Sequence, residues 1–174
     1  IIFIDKLIMK QLIFRGDERI IFCSDVHLDD EPSDLVDHFT QQLVFYADQA
    51  DVIIILGDLF NYWLGDHCQQ RFNKLFKLLG QLHKHVHVYF MPGNRDFLLT
   101  SKVLNTCNIH LLSDPCLLYY GSERILLSHG DQYCSLDTGY LRLRSVLQNP
   151  FTKALARWIP YKLRYNIAQY LRTC

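Results

Sequence analysis

The sequence predicts an α/β fold, on three observations. Short runs rich in β-branched and aromatic residues alternate with stretches of helical periodicity. Each run stops at a small polar cluster, and those clusters recur at nearly constant spacing. The runs are IIFCSDVH from Ile20, VIIILGD from Val52, VHVYFMPGNRD from Val86 and RILLSHGD from Arg124, each read as a strand.

Taken in order, Ile1 to Phe14 is apolar enough for an edge strand, although Met9 could equally be the start of translation. After the Ile20 strand, Leu35, Val36, Phe39, Leu43 and Tyr46 mark one side of a helix opened by Pro32 and Ser33. After the Val52 strand, Phe72, Leu75, Phe76, Leu79 and Leu82 recur at three- and four-residue steps, with Gln70, Lys74, Lys77 and Lys84 outside them. That is a second amphipathic helix. Phe97 to Thr106 reads as a short helix, and Cys116 to Tyr120 as a strand pairing with Arg124 to Ser128 across Gly121-Ser122-Glu123. Three further helices, Tyr140 to Leu147, Phe151 to Ile159 and Lys162 to Leu171, are separated by Asn149-Pro150 and Ile159-Pro160, because the residue before proline disfavours helix.

The chain has 174 residues, 49% hydrophobic and 21% charged, which fits one domain spanning 1–174 whose final part, 138–174, begins a helical cap. With 8 Gly, 5 Pro and no low-complexity run, disorder and collagen are excluded. No apolar run approaches the roughly 18 residues needed to span a bilayer, and no signal peptide opens the sequence. The six cysteines stand 45, 39, 9, 18 and 40 residues apart, without the short gaps of a zinc knuckle or redox pair, so reduced cytosolic thiols are expected. Net charge is zero but divided. Residues 1–137 hold 11 Lys/Arg against 18 Asp/Glu, while 138–174 hold 7 Lys/Arg and no acid. An acidic body suits bound cations, and a basic tail suits an anionic partner.

The chemistry sits at the strand ends. Asp25 and His27, two apart, would point to the same side of an extended strand end and converge on one ion, and a carboxylate with an imidazole suits Mn, Fe or Zn better than Ca or Mg. Asp58, Asn94 and His129 follow at intervals of 33, 36 and 35 residues, one strand-helix-strand unit each. All four positions fall at carboxyl ends of strands, where open α/β sheets bind ligands, and a glycine beside Asp58, Asn94 and His129 lets the backbone come close there. Any one of them alone could be a turn residue or helix cap. Their recurrence in order favours a metal site.

The ordered set Asp25-Val26-His27, Gly57-Asp58, Gly93-Asn94 and Ser128-His129-Gly130-Asp131 resembles the calcineurin-like metallophosphoesterases. Arg95 after Gly93-Asn94, where most members have His, narrows the likeness to the UDP-2,3-diacylglucosamine diphosphatases of lipid A biosynthesis. Leu56 to Phe60, Trp63 to Asp66, and Asp137-Thr138-Gly139-Tyr140 fit the same family. The resemblance implies layered β-sheets flanked by helices and two divalent metals, most simply Mn2+. Asp25 and His27 would hold the first, Asp58 would bridge both, and Asn94 and His129 would hold the second. It implies metal-activated water attack on the α-phosphorus of UDP-2,3-diacylglucosamine, giving UMP and 2,3-diacylglucosamine 1-phosphate. Asp58, Asn94, Arg95 and His129 would be catalytic, and Asn94, Arg95, Asp137, Tyr140 and Arg172 would face the substrate. A peripheral position on the cytoplasmic face of the bacterial inner membrane is implied too.

The superfamily's closing Gly-His-x-His motif does not occur here, and His110 does not supply it. The sequence is therefore expected to be the N-terminal portion of the enzyme, with an inactive fragment or another dinuclear phosphodiesterase as rival readings. Asn61 stands where the family often has Glu. His83, His85 and His87 read as a solvated junction at the far end of their strand, and Asp29-Asp30-Glu31 as a solvated loop. Asp96 and Asp131 are either orienting groups or turn residues. Phe151, Ala154, Leu155, Trp158 and Ile159 follow helical spacing with Lys153 and Arg157 on another face, which suits either a helix packed on the core or, preferred here, an anionic lipid surface. No nucleic-acid motif accompanies the basic tail, so nucleic acid is not an expected partner.

Overall fold

The computed structural model describes residues 11–30, 32–82 and 85–173, with side chains to residue 170. Met9 with the rest of the first ten residues, Glu31, His83, Lys84, Cys174 and the Arg172 side chain lie outside the described residues.

Two sheets form. A parallel sheet runs in the order β2 (Ile20–Cys23), β3 (Val52–Leu56), β4 (His87–Met91), β5 (His110–Leu111). A second sheet runs in the order β1 (Gln11–Phe14), β6 (Cys116–Tyr120), β7 (Glu123–Leu127), with β1 parallel to β6 at one edge. The β6–β7 hairpin forms as expected but one residue tighter: Cys116 stands opposite Leu127 and Tyr120 opposite Glu123, so Glu123 joins the strand and the turn is Gly121-Ser122, with Gly121 at φ 58°. The Arg124 strand therefore joins the second sheet rather than extending the parallel one.

β3 is apolar at every position because both of its faces are covered. Ile53 and Ile55 face a core shared with α1 (Asp34–Ala47) and α2 (Asn73–Leu82), through Val36, Leu43, Leu75 and Leu79. Val52 and Ile54 face the second sheet, with Met91, Leu112, Cys116, Leu118 and Leu127. Burial of each such aliphatic side chain stabilises the fold by about 1.5–3 kcal/mol. Ser33 caps α1, accepting from the Val36 amide, as the sequence expects.

The helix expected over Phe97 to Thr106 is shorter, α3 (Ser101–Asn105). Thr100 caps it by accepting from the Val103 amide, and Phe97 to Leu99 stay in a turn closed by Leu99 N–H to the Asp96 carbonyl. Three tail helices follow: α4 (Thr138–Gln148), α5 (Pro150–Trp158, with Pro150 in its first turn) and α6 (Tyr161–Thr173). The body grips α6 through Arg71, which pairs with Asp30 and donates to Tyr161 Oη at 2.7 Å, and through Tyr62, edge-on to Tyr165 at 5.6 Å. Arg164 donates to the Leu64 carbonyl. All five described cysteines are free thiols.

Candidate metal centre

β2, β3 and β4 end side by side, and the loops after them carry Asp25, His27, Asp58 and Asn94. Backbone bonds zip these loops together beyond the sheet, from Asp25 N–H to the Gly57 carbonyl (3.1 Å) and from His27 N–H to the Asp58 carbonyl (3.0 Å). Asp25 and His27 do converge, with Nε2 3.9 Å from Oδ1, but strand alternation is not the cause. β2 ends at Cys23, and Asp25, His27 and Asp58 all take left-handed backbone, with φ of 55°, 54° and 52°. Three non-glycine residues in that region within one small cluster mark backbone strain held in place by the surrounding structure.

One ligand atom each from Asp25, His27 and Asp58 falls within 4.8 Å of the other two, close enough to share an ion. His27 Nδ1 is buried without a hydrogen-bond partner, a donor atom left for something else. Asp58 is only 3% exposed; Asp25 and His27 are open to solvent on one side. On the other side of Asp58, His129 Nε2 lies 3.7 Å from Oδ1 and Arg95 Nε lies 3.6 Å from Oδ2. The Arg95 amide donates to Asp58 Oδ1 at 2.9 Å. His129 Nδ1 is 2.9 Å from the Leu56 carbonyl. A carbonyl can only accept, so Nδ1 carries the proton and Nε2 presents its lone pair toward Asp58, the tautomer an imidazole ligand needs. These residues fit a divalent metal.

Close approach depends on two glycines. A Cβ on Gly57 (φ 89°) would sit 2.5 Å from His129 Nδ1, and one on Gly93 would collide with the Asp58 carboxylate and amide. Asp96 is fully buried and braces the Asn94 and Asp58 loops, accepting from the amides of Gly93 (2.7 Å), Leu59 (2.8 Å) and Phe60 (3.4 Å). Burial pushes its carboxyl up to about 7; the three amides oppose the shift and the nearby Asp58 charge adds to it. Asp96 thus orients the loops rather than merely occupying a turn. Below it Phe60, Trp63, Phe72 and Phe76 pack ring on ring and fix the segment after Asp58.

Asn61 bridges two expected features: its Oδ1 accepts from Arg95 Nη1 (3.2 Å) and its Nδ2 donates to Asp29 (2.7 Å). Asp29 and Asp30 lie in the solvated loop the sequence predicts, and both are paired there, Asp29 with Asn61 and Asp30 with Arg71. Asn94 Nδ2 donates to Tyr140 Oη at 3.2 Å, which brings the first helix of the tail to the site. Asp137 caps α4, its Oδ1 accepting from the Tyr140 amide at 2.8 Å. His85 and His87 lie at the opposite end of β4 from Asn94. The sequence reading missed Arg144, which pairs with Asp131 and Asp114; its one local signal was its place four residues after Tyr140, on the same helix face.

The sheet edge and the donor set together define an α/β protein with a candidate divalent-metal centre. The model of the calcineurin-like phosphoesterase family matches residues 18–162, and the chain belongs to that family, whose members use divalent metals. Among curated proteins it is 37% identical over 155 residues to a UDP-2,3-diacylglucosamine hydrolase of Stutzerimonas stutzeri, a match covering 88% of this chain and 65% of that one. It is 37% identical over 153 residues to the UDP-2,3-diacylglucosamine hydrolase of Coxiella burnetii, covering 87% and 63%. The chain thus spans less than two thirds of the length of these relatives. Among solved structures, the Pseudomonas putida nuclease MPE superposes with a TM-score of 0.45 at 17% identity, over 57% of this chain and 50% of that one.

Proposed function

We propose that the chain carries the main part of a dinuclear-metal hydrolase that cleaves the pyrophosphate of UDP-2,3-diacylglucosamine, releasing UMP and 2,3-diacylglucosamine 1-phosphate. Asp25 and His27 would hold one ion, Asn94 and His129 the other, and Asp58 both; Mn2+ suits this mixture of carboxylate, amide and imidazole. The names of the curated relatives support the substrate. The observation that carries the reading is a chamber of about 450 Å³ that opens onto Asn94 and Arg95 and runs under the tail helices, walled by Leu98, Leu147, Leu155 and Ile167. A polar, cation-ready site joined to an apolar chamber matches a phosphoester carrying acyl chains, and a soluble diester would have no use for the second half.

When bound, the divalent ions would supply charge that polarises the phosphoryl group and lowers the pKa of an attacking water. The protein's own residues do the rest. Arg95, steered by Asn61 and held near Asp58, offers a planar fork of donors to phosphoryl oxygens and offsets negative charge that grows in the transition state. Asn94 and Tyr140 form one wall beside the reacting phosphate, and Asp137 shapes that wall by starting α4. Residues 138–174 act as the beginning of a cap that excludes water from the acyl chains.

Among the described residues no helix is long and apolar enough to cross a membrane. Phe151 and Trp158 on α5 are 86% and 87% exposed, and Arg157 on the same helix is exposed too, which supports peripheral docking on the anionic cytoplasmic face of the inner membrane.

The test is Mn2+-dependent release of UMP from UDP-2,3-diacylglucosamine by the full-length protein, with Asp58→Ala as control. UMP release abolished by Asp58→Ala is the expected result. Hydrolysis of bis(p-nitrophenyl) phosphate without any UMP release would assign another phosphodiester and overturn the lipid reading.

A further inference from the structure

We infer that Arg144, on α4 and absent from every ligand assignment above, is a positioning residue that sets both halves of the second metal position at once. The inference rests on the reading of Asn94 and His129 as ligands. Arg144 Nε donates to Asp131 Oδ2 at 2.8 Å and Nη2 donates to Asp114 Oδ2 at 2.9 Å. All three side chains are largely buried, with 18%, 8% and 10% exposure, so these are not solvent-screened surface pairs.

Each carboxylate passes the contact to a different ligand. Asp131 Oδ2 also accepts from Tyr140 Oη at 2.6 Å. With its one proton committed there, the Tyr140 oxygen is left to accept from Asn94 Nδ2 at 3.2 Å. An Asn94 whose amide nitrogen points to Tyr140 must turn its Oδ1, the metal-binding atom, the other way. Asp114 Oδ1 accepts from Ser128 Oγ at 2.7 Å and from the His129 amide at 3.3 Å, and Ser128 Oγ in turn accepts from the Gly130 amide at 3.1 Å. The backbone on both sides of His129 is thereby pinned while the ring is pinned through Nδ1.

Tyr140 and Arg144 are one turn apart on α4, so a single helix face reaches the Asn94 loop and the His129 loop together. Arg144 also walls the chamber under the cap. Cap placement and ligand orientation are consequently coupled through one guanidinium. Lysine cannot reproduce this, since its ammonium is a point charge without a fork spanning two carboxylates.

Mn2+ titration, followed by the electron paramagnetic resonance of the free ion, tests the inference on the full-length wild type, Arg144→Met, Arg144→Lys and Asp114→Asn. Wild type should bind two ions. Arg144→Met should keep the tighter ion and weaken the other about 10- to 100-fold, the usual effect of losing a group that orients ligands. Turnover lost in this variant should return as Mn2+ is raised. Arg144→Lys should recover part of the affinity, and Asp114→Asn, nearly identical in shape, should weaken the same ion. Wild-type affinity for both ions in Arg144→Met or Asp114→Asn would overturn the inference. So would equal weakening of both ions in step with a fall in melting temperature, which is a general structural defect. A wild type that binds fewer than two ions would instead remove the dinuclear reading on which the inference stands.

Discussion

His129 Nε2 faces Asp58 Oδ1 at 3.7 Å because the Leu56 carbonyl, at the end of β3, accepts a hydrogen bond from the opposite ring nitrogen. The strand that delivers Asp58 thus also sets the tautomer of a histidine 71 positions later in the chain. An imidazole fixed this way, 6% exposed and beside a buried carboxylate, would on the proposed assignment be oriented as a metal ligand. His129→Ala is expected to leave one Mn2+ at Asp25, His27 and Asp58 and to weaken the second by at least about 100-fold. Isothermal titration with Mn2+ checks this, and two ions bound at wild-type affinity by the variant would show that His129 is not a ligand.

Gly57 has little freedom to change. Its φ of 89° costs an alanine about 1–2 kcal/mol, and the added Cβ would press on the His129 ring and on Gly93 Cα at 2.9 Å. Gly57→Ala should therefore destabilise the protein by about 2–4 kcal/mol and loosen the second ion with it. The urea midpoint and the Mn2+ titration measure the two effects. An unchanged midpoint would mean that the β3 loop can relax without displacing His129.

The positions of the ligand-type residues were legible because the strand-helix unit repeats, so intervals of 33 and 36 residues put Asp25, Asp58 and Asn94 beside one another at the edge of the parallel sheet. The conformation there was not legible. Asp25-Val26-His27 reads as the end of an extended strand, yet both ends of the motif are left-handed, because backbone bonds to Gly57 and Asp58 in the neighbouring loop override local preference. Helical spacing located α4, α5 and α6 correctly, since their proline breaks are local signals. The assignment of β7 to a second sheet, and the pairing of Arg144 with Asp114 across 30 residues, depend on tertiary contacts with no pattern inside any short window.

The contact between α6 and the body should weaken in mild acid. His67 packs edge-on to Tyr161 at 4.8 Å, and partial burial lowers its pKa below the usual 6.5, helped by the nearby Arg164 and Arg71. The folded protein then binds this proton less readily than the unfolded chain does. Its full stability is present above pH 6.5 and part of it is lost as pH falls below that value. Because the ring is solvent-exposed, the drop should be small, about 1–2 °C in melting temperature between pH 7.5 and 5.5. His67→Gln should flatten that part of the pH profile; an identical slope in the variant would show that the acid sensitivity arises elsewhere.

The exposed face of α5 is the least explained by folding alone. Phe151 and Trp158 are 86% and 87% exposed although they recur at helical spacing, so they gain nothing from the core beneath. Arg157 is exposed on the same short helix, whereas Lys153 turns inward over the Phe97 ring at 5.8 Å, where desolvation and the neighbouring Arg144 and Arg157 lower its pKa, and residues 138–174 hold no Asp or Glu to offset these charges. Rings that enter the headgroup layer and cations that meet anionic lipids would act together there, each cation adding about 1 kcal/mol. The double variant Phe151→Ser, Trp158→Ser should then sediment with vesicles of phosphatidylglycerol and phosphatidylethanolamine at least about 10-fold less well than wild type. Its melting temperature should stay within about 2 °C, since neither ring is packed. Equal sedimentation of the two proteins would place membrane contact on another face, whereas a large fall in melting temperature would mean that the rings belong to the fold after all.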